Sequence, residues 1–310
     1  MAAAASAPAP VQKTGFLRNI AGTAIAIPIA ALVAYYTDLQ LYALVIFGIQ
    51  WVGALAYALP FQDEHYFDVT GSATYVSVVA LALYRADAPT WRSVLLAVFA
   101  AFWAVRLGYF LITRIGEQGS DSRFEQIRVT PVRFFSVWNV QGLWVFLTLL
   151  PTLLALAHGS KDSAVSAYDV VGIALWLLGF YLEVLADYQK TQFRHNPANK
   201  GAFIHTGLWA YSRHPNYLGE ILIWVGAYVV AVHVLPSTQY KVLGLLGPLF
   251  IVLLLVAVSG IPMLEKQADE RWGHLPEYQA YKARTSLLLL LPTKKAAQHA
   301  PESAPLVAKA

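Results

Sequence analysis

Residues 208–220 place charged, amide and aromatic side chains at the start of an apolar segment. They read Leu-Trp-Ala-Tyr-Ser-Arg-His-Pro-Asn-Tyr-Leu-Gly-Glu, and residues 221–232 carry no charge. Arginine offers fork-shaped donors for phosphate, and the first amides of a helix add positive potential. Asn or Glu can bind a carboxamide or ribose hydroxyls, and Trp209, Tyr211 and Tyr217 offer flat surfaces for a ring. The stretch is suited to a nucleotide with anionic groups, although interfacial belts use Trp and Tyr without any ligand.

More charged residues follow one helix face just before this stretch. Glu183, Asp187, Lys190 and Arg194 are spaced by three or four residues, which places them on one side of a helix. The two cations at the end of that face could contact lipid headgroups, or they could join Arg213 at a phosphate. We favour the second interpretation because Arg213 follows after only eighteen more residues.

A third polar stretch, residues 264–285, follows the last apolar segment. It reads LEKQADERWGHLPEYQAYKART and predicts a charged, partly helical tail. By itself such a segment would lie along the headgroups. Beside the other two polar stretches it is a candidate lid.

The elements that position these residues are predicted to be membrane-spanning helices. The chain has 310 residues, 57% hydrophobic and 13% charged, whereas soluble proteins average roughly 45–50% apolar and about 25% charged residues. Since an isolated strand cannot satisfy its backbone in lipid, we predict an all-α polytopic bundle of about eight spans, with seven to nine allowed. The predicted spans are 17–36, 40–60, 69–85, 91–113, 135–157, 168–187, 216–235 and 241–262.

The positive charges predict how this bundle is oriented. With eight spans and a cytosolic N-terminus, 17 of the 22 Lys and Arg residues fall on the cytosolic side. Four fall outside (Arg85, Arg92, Lys161 and Lys241), and Arg106 lies within a span. This bias predicts cytosolic termini in a bacterial inner membrane or the endoplasmic reticulum, with the polar stretches 114–134, 187–220 and 263–285 converging on one ligand.

Other classes of site find little support in the composition. Without cysteine, the chain has no disulfide, thiolate nucleophile or cysteine-ligated metal. His195 and His205 are weak signals for zinc, so we predict no metal site. The net charge of +4 comes mostly from cations beside apolar segments, so we predict no nucleic-acid partner.

Several motifs resemble the steroid 5-alpha-reductase superfamily. They are GLWAY followed by SRHPNYLGE, FDVTGSATYV (67–76), WAVRLGYFLITRIGEQGSDSR (103–123) and DYQKTQFRHNPANKGAF (187–203). The resemblance spans most of residues 65–292 and points to the bacterial-type, steroid reductase-like membrane branch. Arg-His-Pro-x-Tyr is also shared with isoprenylcysteine carboxyl methyltransferases and phospholipid methyltransferases, which bind S-adenosylmethionine.

The resemblance implies that NADPH binds at the cytosolic side and that hydride passes to an activated carbon–carbon double bond of a lipid. Together with Trp209 from the opening stretch, the implied cofactor-binding residues are Arg106, Lys190, Arg194, Arg213, His214, Asn216, Tyr217 and Glu220. Lys266 and Glu270 stand where the sterol reductases have an Arg and an Asp, so that contact is altered.

The catalytic residues of the steroid reductases are not all retained. Trp103 stands where those enzymes have a tyrosine that polarises the substrate ketone, and Asp68 is the nearest carboxylate to the position of their glutamate. Asp68 and Tyr109 are therefore the candidate proton donors, and recognition of a 3-keto-steroid is in doubt.

The sequence thus predicts tails at 1–15 and 293–310 flanking a reductase-like membrane domain at 16–292. The expected function is NADP(H)-dependent reduction of a carbon–carbon double bond in a steroid-like or other lipid, with membrane lipids as surroundings. An S-adenosylmethionine-dependent methyltransferase and a non-catalytic lipid-binding protein are the alternatives.

Overall fold

The computed structural model describes residues 16–118, 124–125, 127–162 and 164–293. Within these residues it contains helices and no strand. Apart from Thr293, the predicted tails lie outside the described residues, as does part of the 114–134 stretch.

The α-helices are α1 (Phe16–Thr37), α2 (Gln40–Gly53), α3 (Leu59–Phe61), α4 (Phe67–Arg85), α5 (Trp91–Gln118), α6 (Pro131–His158), α7 (Ala167–His195), α8 (Pro215–Val234), α9 (Thr238–Gly244), α10 (Leu246–Leu253), α11 (Ile261–Trp272) and α12 (Pro276–Arg284). A π-helical segment, Ala54–Ala58, joins α2 to α3, and another, Leu254–Val258, follows α10.

The predicted helix bundle is confirmed. Eight helical segments of the described chain are long and apolar enough to cross a membrane. They are Asn19–Thr37, Gln40–Phe61, Phe67–Arg85, Trp91–Glu117, Pro131–His158, Ala167–His195, Pro215–Val234 and Thr238–Trp272. The chain is therefore an integral membrane protein by the length and composition of its helices.

The chain divides into two compact units. The first comprises residues up to Leu177 together with Ile221–Leu253, and the second comprises Leu178–Glu220 together with the residues from Leu254 onwards. Helices α7 and α8 each contribute residues to both units.

Helix α6 forms the centre of the first unit, where it packs against α1, α2, α4, α5 and α10. Most of its residues are buried, including the polar Ser136 and Asn139. The Asn139 amide accepts a hydrogen bond from Trp51 Nε1 (2.9 Å) and donates one to Thr23 Oγ1 (3.2 Å). Such bonds fix one helix against another where apolar contacts alone give little selectivity in lipid.

Glycine allows α7 and α8 to touch through their backbones within each unit. In the first unit, a Cβ on Gly226 would lie 2.6 Å from the Gly172 carbonyl oxygen. In the second, a Cβ on Gly219 would lie 2.6 Å from both the Gly179 carbonyl oxygen and the Glu183 nitrogen. Small residues on one face permit this close approach, as in other membrane helix pairs.

A buried ion pair fastens the first turns of α5 and α7 in the first unit. Arg92 Nε lies 2.6 Å from Asp169 Oδ1, and both side chains are almost fully buried. Arg92 also donates to the carbonyl oxygens of Asp162 and Ala164. Because each of its three nitrogens donates a hydrogen bond, the guanidinium ties the 159–166 connection to both helices.

Candidate functional site

The second unit contains a cavity of about 240 Å³ between the end of α7, the 202–214 connection, α11 and α12. Its walls combine cations with aromatic rings. They include Lys190, Arg194, Phe203, Trp209, Arg213, His214, Glu265, Arg271, Trp272, Tyr278 and Tyr281.

The connection after α7 is folded against that helix by a glycine with positive φ. Gly207 has φ +60°, and a Cβ there would meet Gln189 Oε1 at 2.5 Å. The same Gln189 oxygen accepts a hydrogen bond from the Leu208 nitrogen at 2.9 Å. Glycine is suited to this turn because it has neither the Cβ nor the strain of a larger residue at positive φ.

This turn fixes Trp209 as the floor of the cavity. Trp209 Nε1 donates to the Ala186 carbonyl oxygen (3.0 Å), and the Tyr281 hydroxyl donates to the Trp209 carbonyl oxygen (2.8 Å). Lys190 Nζ lies 4.6 Å from the centre of the Trp209 ring, a cation–π contact. The ring and the ammonium group therefore lie together on the cavity wall.

Helices α11 and α12 supply a network of charges centred on Glu265. Its carboxylate lies 3.1 Å from Arg213 Nη2, 2.9 Å from His214 Nε2 and 3.6 Å from Lys282 Nζ. Lys282 also pairs with Asp269 at 2.6 Å, and Arg213 Nη1 donates to the Lys282 carbonyl oxygen at 2.7 Å. The Nε atom of Arg213 is buried and has no hydrogen-bond partner in the structure, so one donor of this guanidinium is unsatisfied.

Burial shifts the pKa of three titratable groups on the cavity wall, namely His214, Tyr278 and Tyr281. Burial lowers the pKa of His214, as do Lys190 and Arg213, while Glu265 opposes the shift. Burial, reinforced by Glu265 and Asp269, raises the pKa of Tyr278 to about 12. Burial also raises the pKa of Tyr281. Near neutral pH, His214 is therefore a neutral imidazole and both phenols keep their protons.

The predicted cofactor residues separate into groups in the structure. Lys190, Arg194, Trp209, Arg213 and His214 line the cavity. Asn216, Tyr217 and Glu220 lie in the first turns of α8 within the same unit. Asn216 Nδ2 donates to Asp187 Oδ1 at 3.3 Å, and the Tyr217 ring stacks on His214 with centroids 5.6 Å apart.

Lys266 and Glu270 are not among the described residues that line this cavity. They are 78% and 65% exposed on α11 and pair with each other at 3.8 Å. The face of α11 that lines the cavity instead presents Leu264, Ala268 and Arg271.

The remaining predicted residues, Arg106, Asp68 and Tyr109, belong to the first unit. The Arg106 guanidinium lies over the Phe110 ring at 5.3 Å, and Asp68 Oδ2 lies 4.0 Å from Arg114 Nη2. Tyr109 is 72% exposed and lines a shallow, laterally open groove of about 430 Å³ between α4 and α5.

Trp103 also lies in the first unit and is fully buried. It packs edge-on against Tyr75 at 5.3 Å and Trp224 at 4.9 Å. The indole therefore forms part of an aromatic core at the position where the steroid reductases have their tyrosine.

Sequence reasoning assigned no ligand contact to Phe203, Glu265, Trp272 or Tyr281. The Phe203 ring lies within 5.2 to 6.1 Å of the rings of Trp272, Tyr278 and Tyr281. The helical period of α11, which groups residues 264, 268 and 271, was the signal that could have identified the lining face of this helix. The predicted absence of a metal site remains a prediction. The described residues hold no cluster of side chains that could ligate a metal ion.

Residues 54–285 match the family described as "Protein of unknown function (DUF1295)". The chain belongs to this family. The DUF1295 proteins are related to the steroid 5-alpha-reductase-like membrane proteins, and the matched residues include the whole described cavity.

Two curated relatives of this DUF1295 chain are similar to it over part of their length. One is "Uncharacterized protein C594.04c" of Schizosaccharomyces pombe, 26% identical over 222 residues that cover 62% of this chain and 61% of the relative. The other is "Delta(14)-sterol reductase LBR" of Gallus gallus, 38% identical over 60 residues that cover 15% of this chain and 9% of the relative. The chain thus spans less than two thirds of both relatives. No solved structure matches it.

Proposed function

We propose that this protein is an NADPH-dependent membrane reductase of a carbon–carbon double bond in a steroid-like or other lipid. The observation that carries the proposal is the cavity of the second unit, where Lys190, Arg194 and Arg213 share the walls with Trp209, Tyr278 and Tyr281. The similarity to a chicken Delta(14)-sterol reductase supports the same class of reaction.

The chemistry of the cavity walls fits part of a phosphorylated dinucleotide. Guanidinium and ammonium groups bind phosphate through charge-assisted hydrogen bonds, and Trp209 offers a flat surface to a ring. A volume of about 240 Å³ suits one half of the cofactor, so the other half would extend beyond the cavity. When bound, reduced nicotinamide would supply hydride to one carbon of the double bond while a proton reaches the other.

The chain's own residues would bind, orient and protonate. Lys190 and Arg194 would hold phosphate, and the phenols of Tyr278 and Tyr281 and the imidazole of His214 would stay uncharged around it. Asp68 and Tyr109 remain the proposed proton donors. Single-turnover rates of Asp68→Asn and Tyr109→Phe, measured with saturating NADPH, would separate them, because only the donor's variant should lose the chemical step.

The deciding experiment is calorimetric titration of the purified protein in lipid nanodiscs with NADPH, NADH and S-adenosylmethionine. Lys190→Ala and Arg194→Ala should each weaken NADPH binding about tenfold or more, since a charge-assisted hydrogen bond contributes roughly 1.5–3 kcal/mol. Lys200→Ala is the matched control: Lys200 is exposed in the same unit and is not among the described cavity residues. Arg213 is a poorer target because its side chain also holds the Glu265 carboxylate and the Lys282 carbonyl oxygen in the last turn of α12.

Each result has a definite meaning. NADPH binding that is lost in the cavity variants and kept in Lys200→Ala would support the proposal. Tight binding of S-adenosylmethionine instead would replace it with a methyltransferase, and binding of no nucleotide would leave a lipid-binding protein without turnover.

A further inference from the structure

Five consecutive leucines, residues 287–291, follow α12 in the second unit. Leu287, Leu289 and Leu291 are 38%, 54% and 50% exposed. These side chains lie outside every described helix. Three apolar side chains held outward on a non-helical segment need a covering environment.

The segment is hydrogen-bonded to the residues just before α8, a candidate membrane span. Ser212 Oγ donates to the Leu288 carbonyl oxygen at 2.7 Å, and the Arg213 nitrogen donates to the Ser286 carbonyl oxygen at 2.9 Å. Ser212 and Arg213 directly precede α8, whose residues Pro215–Val234 form a candidate span. Because three residues extend at most roughly 10 Å, the leucines stay close to the interfacial layer, which is about 5–8 Å thick on each side.

The charges around the leucines suit a bilayer with anionic headgroups. Arg284, at the end of α12, is exposed. In the sequence, Lys294 and Lys295 follow the leucines after only Pro292 and Thr293. Apolar side chains flanked by cations are the pattern by which peripheral segments insert at anionic interfaces.

We propose that residues 286–291, the leucine lip, insert into the lipid interface and anchor the second unit's cavity to an anionic bilayer surface. The backbone of the leucine lip accepts hydrogen bonds from Ser212 and Arg213. The lip therefore helps to position Arg213, a cavity residue, and also contacts the membrane. This inference uses no nucleotide and stands apart from the proposed function.

The absence of cysteine permits a clean test by site-specific labelling. Leu289→Cys would carry an environment-sensitive fluorophore in vesicles of equal parts phosphatidylcholine and phosphatidylglycerol. Val98→Cys, 53% exposed on the spanning helix α5, is the lipid reference, and Glu277→Cys, exposed on α12, is the aqueous reference. Quenching by spin-labelled lipid and by aqueous iodide would be compared at the three sites.

The label at Leu289 should be quenched by spin-labelled lipid at least about twice as strongly as the label at Glu277, and less by iodide, as expected for a side chain in the interface. Leu291→Cys should behave in the same way, which guards against a local effect of one substitution. Arg284→Gln should shift the Leu289 label towards iodide when phosphatidylglycerol is present.

Three outcomes would overturn the proposal. Iodide quenching at Leu289 equal to that at Glu277 would place the lip in water. Protection from both quenchers would mean that protein covers it. Energy transfer between labelled copies that persists when the protein is diluted in lipid would identify a second copy as its partner.

Discussion

The Nε2 atom of His214 lies 2.9 Å from the Oε1 atom of Glu265, which joins the residue before α8 to α11. Burial is the main cause of the lowered pKa of His214, and the hydrogen bond to Glu265 offsets only part of that shift. At physiological pH the contact is therefore made by a neutral ring.

We expect the protein to lose stability as the pH falls from about 7.5 to about 5.5. A histidine whose folded pKa lies below its unfolded value of 6.5 stabilises the fold above that value and loses this contribution as the pH falls through the folded pKa. Thermal unfolding midpoints of the wild type and His214→Gln at both pH values would test this. An equal acid shift in the two proteins would assign the effect to other groups.

Glu265→Gln should reduce the free energy of unfolding by about 1–3 kcal/mol, because it removes the charge shared by Arg213 and Lys282 and leaves both less well paired. Glu277→Gln, which changes an exposed carboxylate on α12, should stay within about 0.5 kcal/mol of the wild type. Unfolding curves in one detergent would compare them. Equal losses in the two variants would contradict the central position of Glu265.

Breaking the ion pair between Arg92 and Asp169 should lower the free energy of unfolding more than Glu265→Gln does. Asp169→Ala leaves a buried guanidinium without its carboxylate, and we expect a loss of about 3–5 kcal/mol. Combining Arg92→Met with Asp169→Leu should recover part of it, since no buried charge remains. Asp162→Ala removes an exposed carboxylate of the same connection and should cost little. A smaller loss of stability in Asp169→Ala than in Asp162→Ala would argue against a stabilising role of the ion pair between Arg92 and Asp169.

Gly219→Ala should destabilise the second unit, because the added methyl would meet the α7 backbone at 2.6 Å. Gly116→Ala on α5 is the matched control, since a Cβ there has nothing within 4 Å. That control should be neutral or more stable by up to about 1 kcal/mol, as alanine favours helix over glycine. The order of the two unfolding midpoints checks the prediction, and a reversed order would mean that the helices adjust without cost.

If the proposed function holds, Asn216→Ala and Glu220→Ala should abolish lipid-dependent oxidation of NADPH while leaving most of the protein folded. Their positions in the first turns of α8 put them in the same unit as the cavity. Turnover and the unfolding midpoint should be measured on the same preparation. Full activity in both variants would remove these residues from the site.

The number and positions of the spans were predictable because apolar runs of spanning length report directly on burial in lipid. All eight predicted spans correspond to helical segments, although α7 continues to His195 and carries Lys190 and Arg194 well beyond its apolar part. The predicted span 216–235 begins within one residue of the start of α8 at Pro215, where proline suits the first turn of a helix.

The wall of the cavity was harder to predict because it depends on which face of α11 points inward. Lys266 and Glu270 were carried over by position as cofactor residues, and that assignment stays a prediction. In the structure they are exposed on α11, whose cavity-lining face presents Leu264, Ala268 and Arg271. The position of Glu265 between Arg213 and His214 joins residues more than fifty positions apart, and no local pattern encodes that pairing.

The Glu265 carboxylate is an anion that belongs to the cavity wall itself. The Glu265 carboxylate already neutralises Arg213 and lies near Lys282. A phosphate that binds these two cations would therefore have to displace this carboxylate. Phosphate binding would then exchange one anion for another. The affinity would depend on the difference between the free energies with which phosphate and the Glu265 carboxylate bind these cations. Because Glu265 is part of α11, the displacement of its carboxylate would make this helix respond to ligand binding.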